Sequence, residues 1–337
     1  MKKNLVLSLI AIASLGALAG ALLLPRSNAP ATVATVPEID SAENSASAST
    51  SAPSVVAETS PVEAAPLTYL PDSLTLRKSP EHSLLRVKST TQVVDRPLQG
   101  LRRLVEKDEM GGFLNPILSP DGLQILLTRP GYQGLYIVSS QGGTPEKIAD
   151  DNAFFAKWTP EGLIQVRNHE GEVRLYDIDG TLLKTGKFDP KAQPAFSEED
   201  VIYVRKEGSS APVALTDSND RYIAPEVCPD GEKVAYLGMY SGLYLANPAK
   251  GEEPIFLGSG ANPQWNSKGT ALLYEQTLDD GHAFVKGDIF YYDLNTGTQY
   301  NLTSQFQEIG LNPTIGPDGR SVAFESDGSI YSGIIPQ

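Results

Sequence analysis

Beyond residue 100, apolar residues fall in short runs of four or five, each bounded by Gly, Pro, Asp or Asn. Short runs rich in β-branched and aromatic residues predict strands. The clearest are Gln124–Thr128, Lys233–Leu237, Ala271–Glu275 and Ser321–Glu325. A second set carries an aromatic residue in most members: Leu135–Val138, Leu175-Tyr176, Leu243–Leu245, Ile289–Tyr292 and Ile330-Tyr331. Turn sequences such as Ser140–Gly143, Asp177–Gly180 and Asn295–Gly297 lead on to outer strands, among them Glu146–Ala149, Ile255–Leu257 and Gln299–Thr303.

The strands recur with a period. Pro116-Ile-Leu-Ser-Pro-Asp-Gly122 returns as Pro225-Glu-Val-Cys-Pro-Asp-Gly231 and as Pro313-Thr-Ile-Gly-Pro-Asp-Gly319. Weaker copies end at Gly162, Asp200 and Gly269, so the six copies lie 40, 38, 31, 38 and 50 residues apart. That spacing matches one four-stranded propeller blade. In the Ser-Pro-Asp-Gly form of the turn Pro fixes φ at the first turn position and Gly accepts a positive φ at the last, which makes a tight hairpin. The fold expected is an all-β, six-bladed β-propeller over residues 101–337. In the short third repeat Val213–Thr216 is a poor strand, so that blade is expected to lack its outer strand.

Nothing follows Ser329–Ile335 that could complete the last blade, and Leu101–Val105 has the character of an outer strand. We therefore expect Leu101–Val105 to close the ring against the final blade, since closure removes open sheet edges. Residues 67–100 have some strand character, as in Leu84–Val93; they either cover the rim or supply part of a seventh blade.

The N-terminus has a different pattern. Lys2 and Lys3 precede an apolar run from Leu5 to Leu24, with small residues at candidate cleavage positions. Residues 1–26 are expected to be an export signal, either cleaved or kept as an anchor; both place the rest of the chain outside the cytoplasm. Residues 27–66 are nearly all Ala, Ser, Thr, Pro, Val and Glu, which predicts a disordered linker. The localisation expected is periplasmic or cell-surface.

The net charge of −14 argues against nucleic acid and anionic lipid as partners. Cys228 is the only cysteine, so an intrachain disulfide and a cysteine-ligated zinc site are both ruled out.

The repeats, with their Ser119-Pro-Asp-Gly122 turn and its copies, resemble the TolB-like propellers of periplasmic translocation proteins. The resemblance spans Leu101–Gln337, about 70% of the chain. That family carries an α/β domain before its propeller, where this chain has low-complexity and strand-like sequence. Prolyl oligopeptidase-type enzymes also carry a propeller, but their Gly-x-Ser-x-Gly turn is missing here; Gly238-Met-Tyr-Ser-Gly242 has the wrong spacing. Propeller lyases of the oligogalacturonate type resemble this fold too and use histidine-rich metal sites. The three histidines here, His82, His169 and His282, are far apart in sequence.

No metal site or cofactor is expected, and no catalytic residue stands out. Asp121, Glu161, Asp230 and Asp318 recur with the repeat and are read as turn residues. Trp158 and Trp265 share one repeat position, which predicts packing between blades. The candidate binding residues lie in the loops between second and third strands: Arg129, Tyr132, His169, Arg205, Tyr240, Phe284 and Lys286. Aromatic and Arg side chains are typical anchors where they cluster. Gln276–Asp288 is the longest such loop. The function expected is a monomeric, non-catalytic module binding a protein or an envelope component. The alternative is a propeller enzyme, a polysaccharide lyase or glycan hydrolase, with carboxylates at the channel mouth.

Overall fold

A computed structural model describes residues 92–337, apart from 153–154, 169, 206–210 and 281. The expected signal, the linker and most of the 67–100 segment lie outside the described residues. Two strands, β1 (Val93–Asp95) and β2 (Gln99–Val105), precede the repeats. The first blade is β3 (Leu114–Leu118), β4 (Gln124–Arg129), β5 (Gln133–Ser139) and β6 (Glu146–Asn152). The second is β7 (Phe155–Trp158), β8 (Ile164–Arg167), β9 (Glu172–Tyr176) and β10 (Leu182–Lys187). The third has three strands, β11 (Ala195–Glu198), β12 (Val201–Val204) and β13 (Val213–Ala214). The fourth is β14 (Tyr222–Val227), β15 (Val234–Gly238), β16 (Gly242–Ala246) and β17 (Ile255–Phe256). The fifth is β18 (Gly260–Trp265), β19 (Ala271–Asp279), β20 (Phe284–Asp293) and β21 (Thr298–Asn301). The sixth is β22 (Leu311–Ile315), β23 (Ser321–Ser326) and β24 (Ser329–Ile334). The chain is a six-bladed β-propeller.

The ring closes as expected. β2 pairs antiparallel with β24, Arg102 opposite Ser332 and Gln99 opposite Ile334. β1 answers the question of a seventh blade for the described residues: it adds to the fifth blade as a fifth strand, parallel to β21.

The Ser-Pro-Asp-Gly turn shows why its residues recur. The Gly122 N–H donates to Ser119 O at 2.9 Å, with Gly122 at φ 74°. Asp121 Oδ1 accepts the Ser119 hydroxyl and the Leu123 N–H, which hold its carboxyl below the ordinary carboxylate range. The third blade departs from this pattern: its turn residues Glu199 and Asp200 both have positive φ, 49° and 67°. Two such residues make a tight type I′ hairpin, which joins strands without proline or glycine. Asn301-Leu302-Thr303 matches a glycosylation acceptor in sequence, but all three residues are buried at the end of the fifth blade's outer strand.

Buried apolar clusters join neighbouring blades. Leu126 and Leu135 meet Ile164 and Val166 between the first and second blades. Ile202 and Val204 meet Tyr236 and Tyr244 between the third and fourth. Leu243 and Leu257 meet Leu272 and Tyr274 between the fourth and fifth. Leu273 and Ile289 meet Phe324 between the fifth and sixth. Ile330 and Leu104 meet Phe113 and Ile125 where the ring shuts. Fully burying one such side chain stabilises the fold by about 1.5–3 kcal/mol. Among the described residues no comparable cluster spans the second and third blades.

Candidate functional site at the channel mouth and its loop face

The innermost strands share a local kink. Asn115, Ala224, Asn262 and Asn312 each stand just before a proline with φ between 48° and 51°. At each of them the pairing with the second strand slips by one residue, a β-bulge. Asparagine tolerates the left-handed region better than most side chains, which suits three of these four positions. Lys157, Glu226, Gln264 and Thr314 follow at matching positions of the inner strands. They line a central cavity of about 230 Å³ with Asn115, Phe155, Asn262 and Asn312.

The two tryptophans brace this wall from behind. Trp158 Nε1–H donates to Ile117 O and Trp265 Nε1–H to Glu226 O, each at 3.0 Å. Each bond runs to the inner strand of the preceding blade, which is the inter-blade packing role the repeat predicted.

A belt of buried carboxylates encircles half of the mouth. Glu275 and Glu325 end the apolar core of the second strands in the fifth and sixth blades, and both are buried. Glu325 Oε2 accepts the Asn115 N–H at 2.7 Å. Glu275 accepts the Asn312 N–H through Oε2 and the Asn262 amide through Oε1, the latter at 2.9 Å. Asn262 Nδ2 also donates to Asn312 Oδ1 at 2.7 Å. Burial pushes each carboxyl up to about 7, opposed by these donors. Sequence reasoning missed both glutamates and their asparagines. The signals were present: a lone acid at the end of an apolar run, and a recurring Asn-Pro.

Glu226 is the carboxylate in the channel itself. Its side chain is open to the channel, yet the surrounding protein pushes its carboxyl up to about 7, with Lys157 and Arg167 pulling the other way. Among the described residues no three His, Cys, Asp or Glu side chains gather as a metal site would require.

The structure separates the predicted binding residues. Arg129 is turned inward: it pairs with Asp108 at 2.7 Å and lies over the Phe113 and Tyr136 rings. Tyr132 is buried at φ 59°, and burial pushes its hydroxyl up to about 12. Arg205 Nε donates to Lys191 O at 3.0 Å, with its guanidinium above Phe196. His169 lies outside the described residues. Arg129, Tyr132 and Arg205 therefore stitch the rim together.

Tyr240, Phe284 and Lys286 lie on the outer side of the same face. Tyr240 is 82% exposed. The Gly238–Ser241 turn that carries it is held by buried Asp220, which accepts the Tyr240 N–H at 3.2 Å and the Ser241 N–H at 3.1 Å. The expected Gln276–Asp288 loop is instead a hairpin: β19 runs on to Asp279 and β20 starts at Phe284, with Leu278 opposite Lys286. Thr277, Phe284 and Val285 favour extended backbone, and cross-strand pairing carries the hairpin past the sheet. Leu278 and Val285 are 60% and 51% exposed on it, Lys286 pairs with Asp288 at 2.8 Å, and Phe284 is half-buried.

The chain matches no family model and no curated protein. Among solved structures it is similar to a chain of the mitotic checkpoint complex. That pair has a TM-score of 0.50 and 13% identity, covering 76% of this chain and 99% of the other. It also aligns with oligogalacturonate lyase from Vibrio parahaemolyticus at TM-score 0.46 and 12% identity, covering 70% and 94%. A putative TolB from Agrobacterium tumefaciens aligns at TM-score 0.29 and 19% identity, covering 63% and 69%. At these identities the likeness is one of fold alone.

Proposed function

We propose that this propeller is a non-catalytic binding module outside the cytoplasm. It engages a protein or envelope component through the loop face of its fourth and fifth blades. One observation carries the proposal: Tyr240 is almost fully exposed on a turn that a buried carboxylate has already made rigid. An exposed aromatic on a pre-organised turn loses little freedom on binding, which is what an interface anchor requires. The Leu278 and Val285 side chains extend the apolar surface on the neighbouring blade. The location rests on Lys2, Lys3 and the apolar run that follows them.

Crosslinking in intact cells, followed by capture with the full chain, tests this. Tyr240→Ala combined with Leu278→Ser is expected to lose the captured partner while unfolding at the same temperature as the wild type. Undiminished capture by that variant would sink the proposal. A second function is favoured by Glu226, whose carboxyl is raised above the ordinary carboxylate value beside the channel cavity, the direction a general acid needs. An enzyme of the lyase or glycan-hydrolase kind would show turnover that Glu226→Gln abolishes and Tyr240→Ala leaves intact.

A further inference from the structure

One position of the second strand recurs around the mouth: Thr128, Arg167, Leu237, Glu275 and Glu325 stand opposite Leu114, Phe155, Ile223, Ala261 and Leu311. Among the described residues this position is therefore divided, with an arginine on the second blade and glutamates on the fifth and sixth. Each glutamate accepts the N–H of the asparagine bulge in the blade that follows. Arg167 has no such counterpart.

Arg167 is only 8% exposed, and its Nε has no hydrogen-bond partner among the described residues. Among the described residues no salt bridge reaches it. Its guanidinium lies 3.9 Å from the Phe188 ring centre and 5.0 Å from that of Phe155. Phe155 lines the central cavity, and Phe188 belongs to the connection between the second and third blades. This is the junction that lacks an apolar cluster. Aromatic faces satisfy a guanidinium's charge in part, but they leave its in-plane N–H donors unanswered. A buried donor without an acceptor is expensive to keep. Glu226 is the one acid whose charge Arg167 feels, and Lys157 faces that same acid.

We propose that Arg167 anchors a small carboxylate ligand at the channel mouth, in the seam between the second and third blades. A planar carboxylate entering from the cavity can accept two parallel N–H bonds from the guanidinium fork, in the plane the flanking rings leave open. The ligand would supply at this position the carboxylate that the fifth and sixth blades supply from their own sequence. This site is separate from the Tyr240 surface and does not depend on it.

Thermal unfolding of the full chain in sodium acetate, with sodium chloride at equal ionic strength as reference, tests the proposal. Acetate at about ten times its dissociation constant is expected to raise the wild-type Tm by roughly 3–5 °C over chloride. Arg167→Met should show no acetate-specific rise and should unfold no earlier than the wild type in chloride, because it removes an unsatisfied donor. Arg167→Lys keeps the charge, loses the fork and should retain less than a third of the shift; it also serves if the Met variant fails to fold. In the wild type, the Arg167 Nε–H proton resonance should move with acetate and stay in place with chloride. An acetate shift that survives in Arg167→Met or remains whole in Arg167→Lys would overturn the site. So would a wild type that responds to sulfate and not to acetate.

Discussion

Replacing Glu275 and Glu325 together with glutamine should flatten the pH dependence of this propeller's stability. Both carboxyls are buried, and burial raises each from 4.5 to about 7. A carboxyl whose folded pKa lies above its unfolded one binds a proton more tightly in the folded state. Its stabilising contribution is then complete below about 4.5 and is lost as pH rises towards 7. For one isolated group that interval corresponds to about 3 kcal/mol. The two are not isolated: Glu275 raises Glu325 through space, and Asn312 bonds to both. They titrate as a pair, so the pair as a whole is assigned about 3 kcal/mol rather than twice that. Urea unfolding of wild type and double variant at pH 5 and pH 8 measures it. The wild type should lose about 2–3 kcal/mol more than the variant between those two pH values. At pH 5 the variant should start lower, because each amide replaces one acceptor with a donor facing an N–H. A wild-type-minus-variant difference constant within about 0.5 kcal/mol would refute the assignment of burial as the dominant effect.

Three further outcomes are expected. Gly112→Ala should cost more than about 3 kcal/mol or prevent folding, read by thermal melting, because Gly112 has φ 84° and a Cβ there would lie 2.1 Å from Gly328 O. Leu104→Ala should destabilise by about 2–4 kcal/mol in urea unfolding, since Leu104 is buried on the strand that shuts the ring. Trp265→Phe keeps most of the ring but leaves Glu226 O without its indole donor, so a loss of about 1 kcal/mol is expected.

The propeller was legible because its turns are local chemistry. Ser119, Pro120, Asp121 and Gly122 encode their hairpin within a few residues, and the same grammar repeats around the ring. The closing strand was legible for a related reason: an unfinished last blade and an unspent strand before the first are complementary shortages. The mouth was harder to foresee. Arg129 and Tyr132 look like binding residues in a loop, yet Tyr132 is buried and Arg129's partners Asp108, Phe113 and Tyr136 are chosen by packing that no local pattern records. Glu275 resembles an ordinary strand-end acid until the bulge of the next blade is placed against it. The long loop was misjudged because cross-strand pairing, which Leu278 and Lys286 satisfy, is a property of two segments together. Tyr240 was the exception, since exposure at a glycine-flanked turn can be read directly.

The pairing of β2 with β24 also sets an order of events. Arg102 is made long before Ser332, its partner in the ladder, more than 200 residues further along the chain. Until β24 emerges from the ribosome, the sixth blade has no outer strand and β2 has no sheet to join. Contacts this distant in sequence form slowly, and an unpaired strand edge that waits is prone to pair with the wrong neighbour. A chain cut just before β24 would therefore forfeit the joint that holds β2.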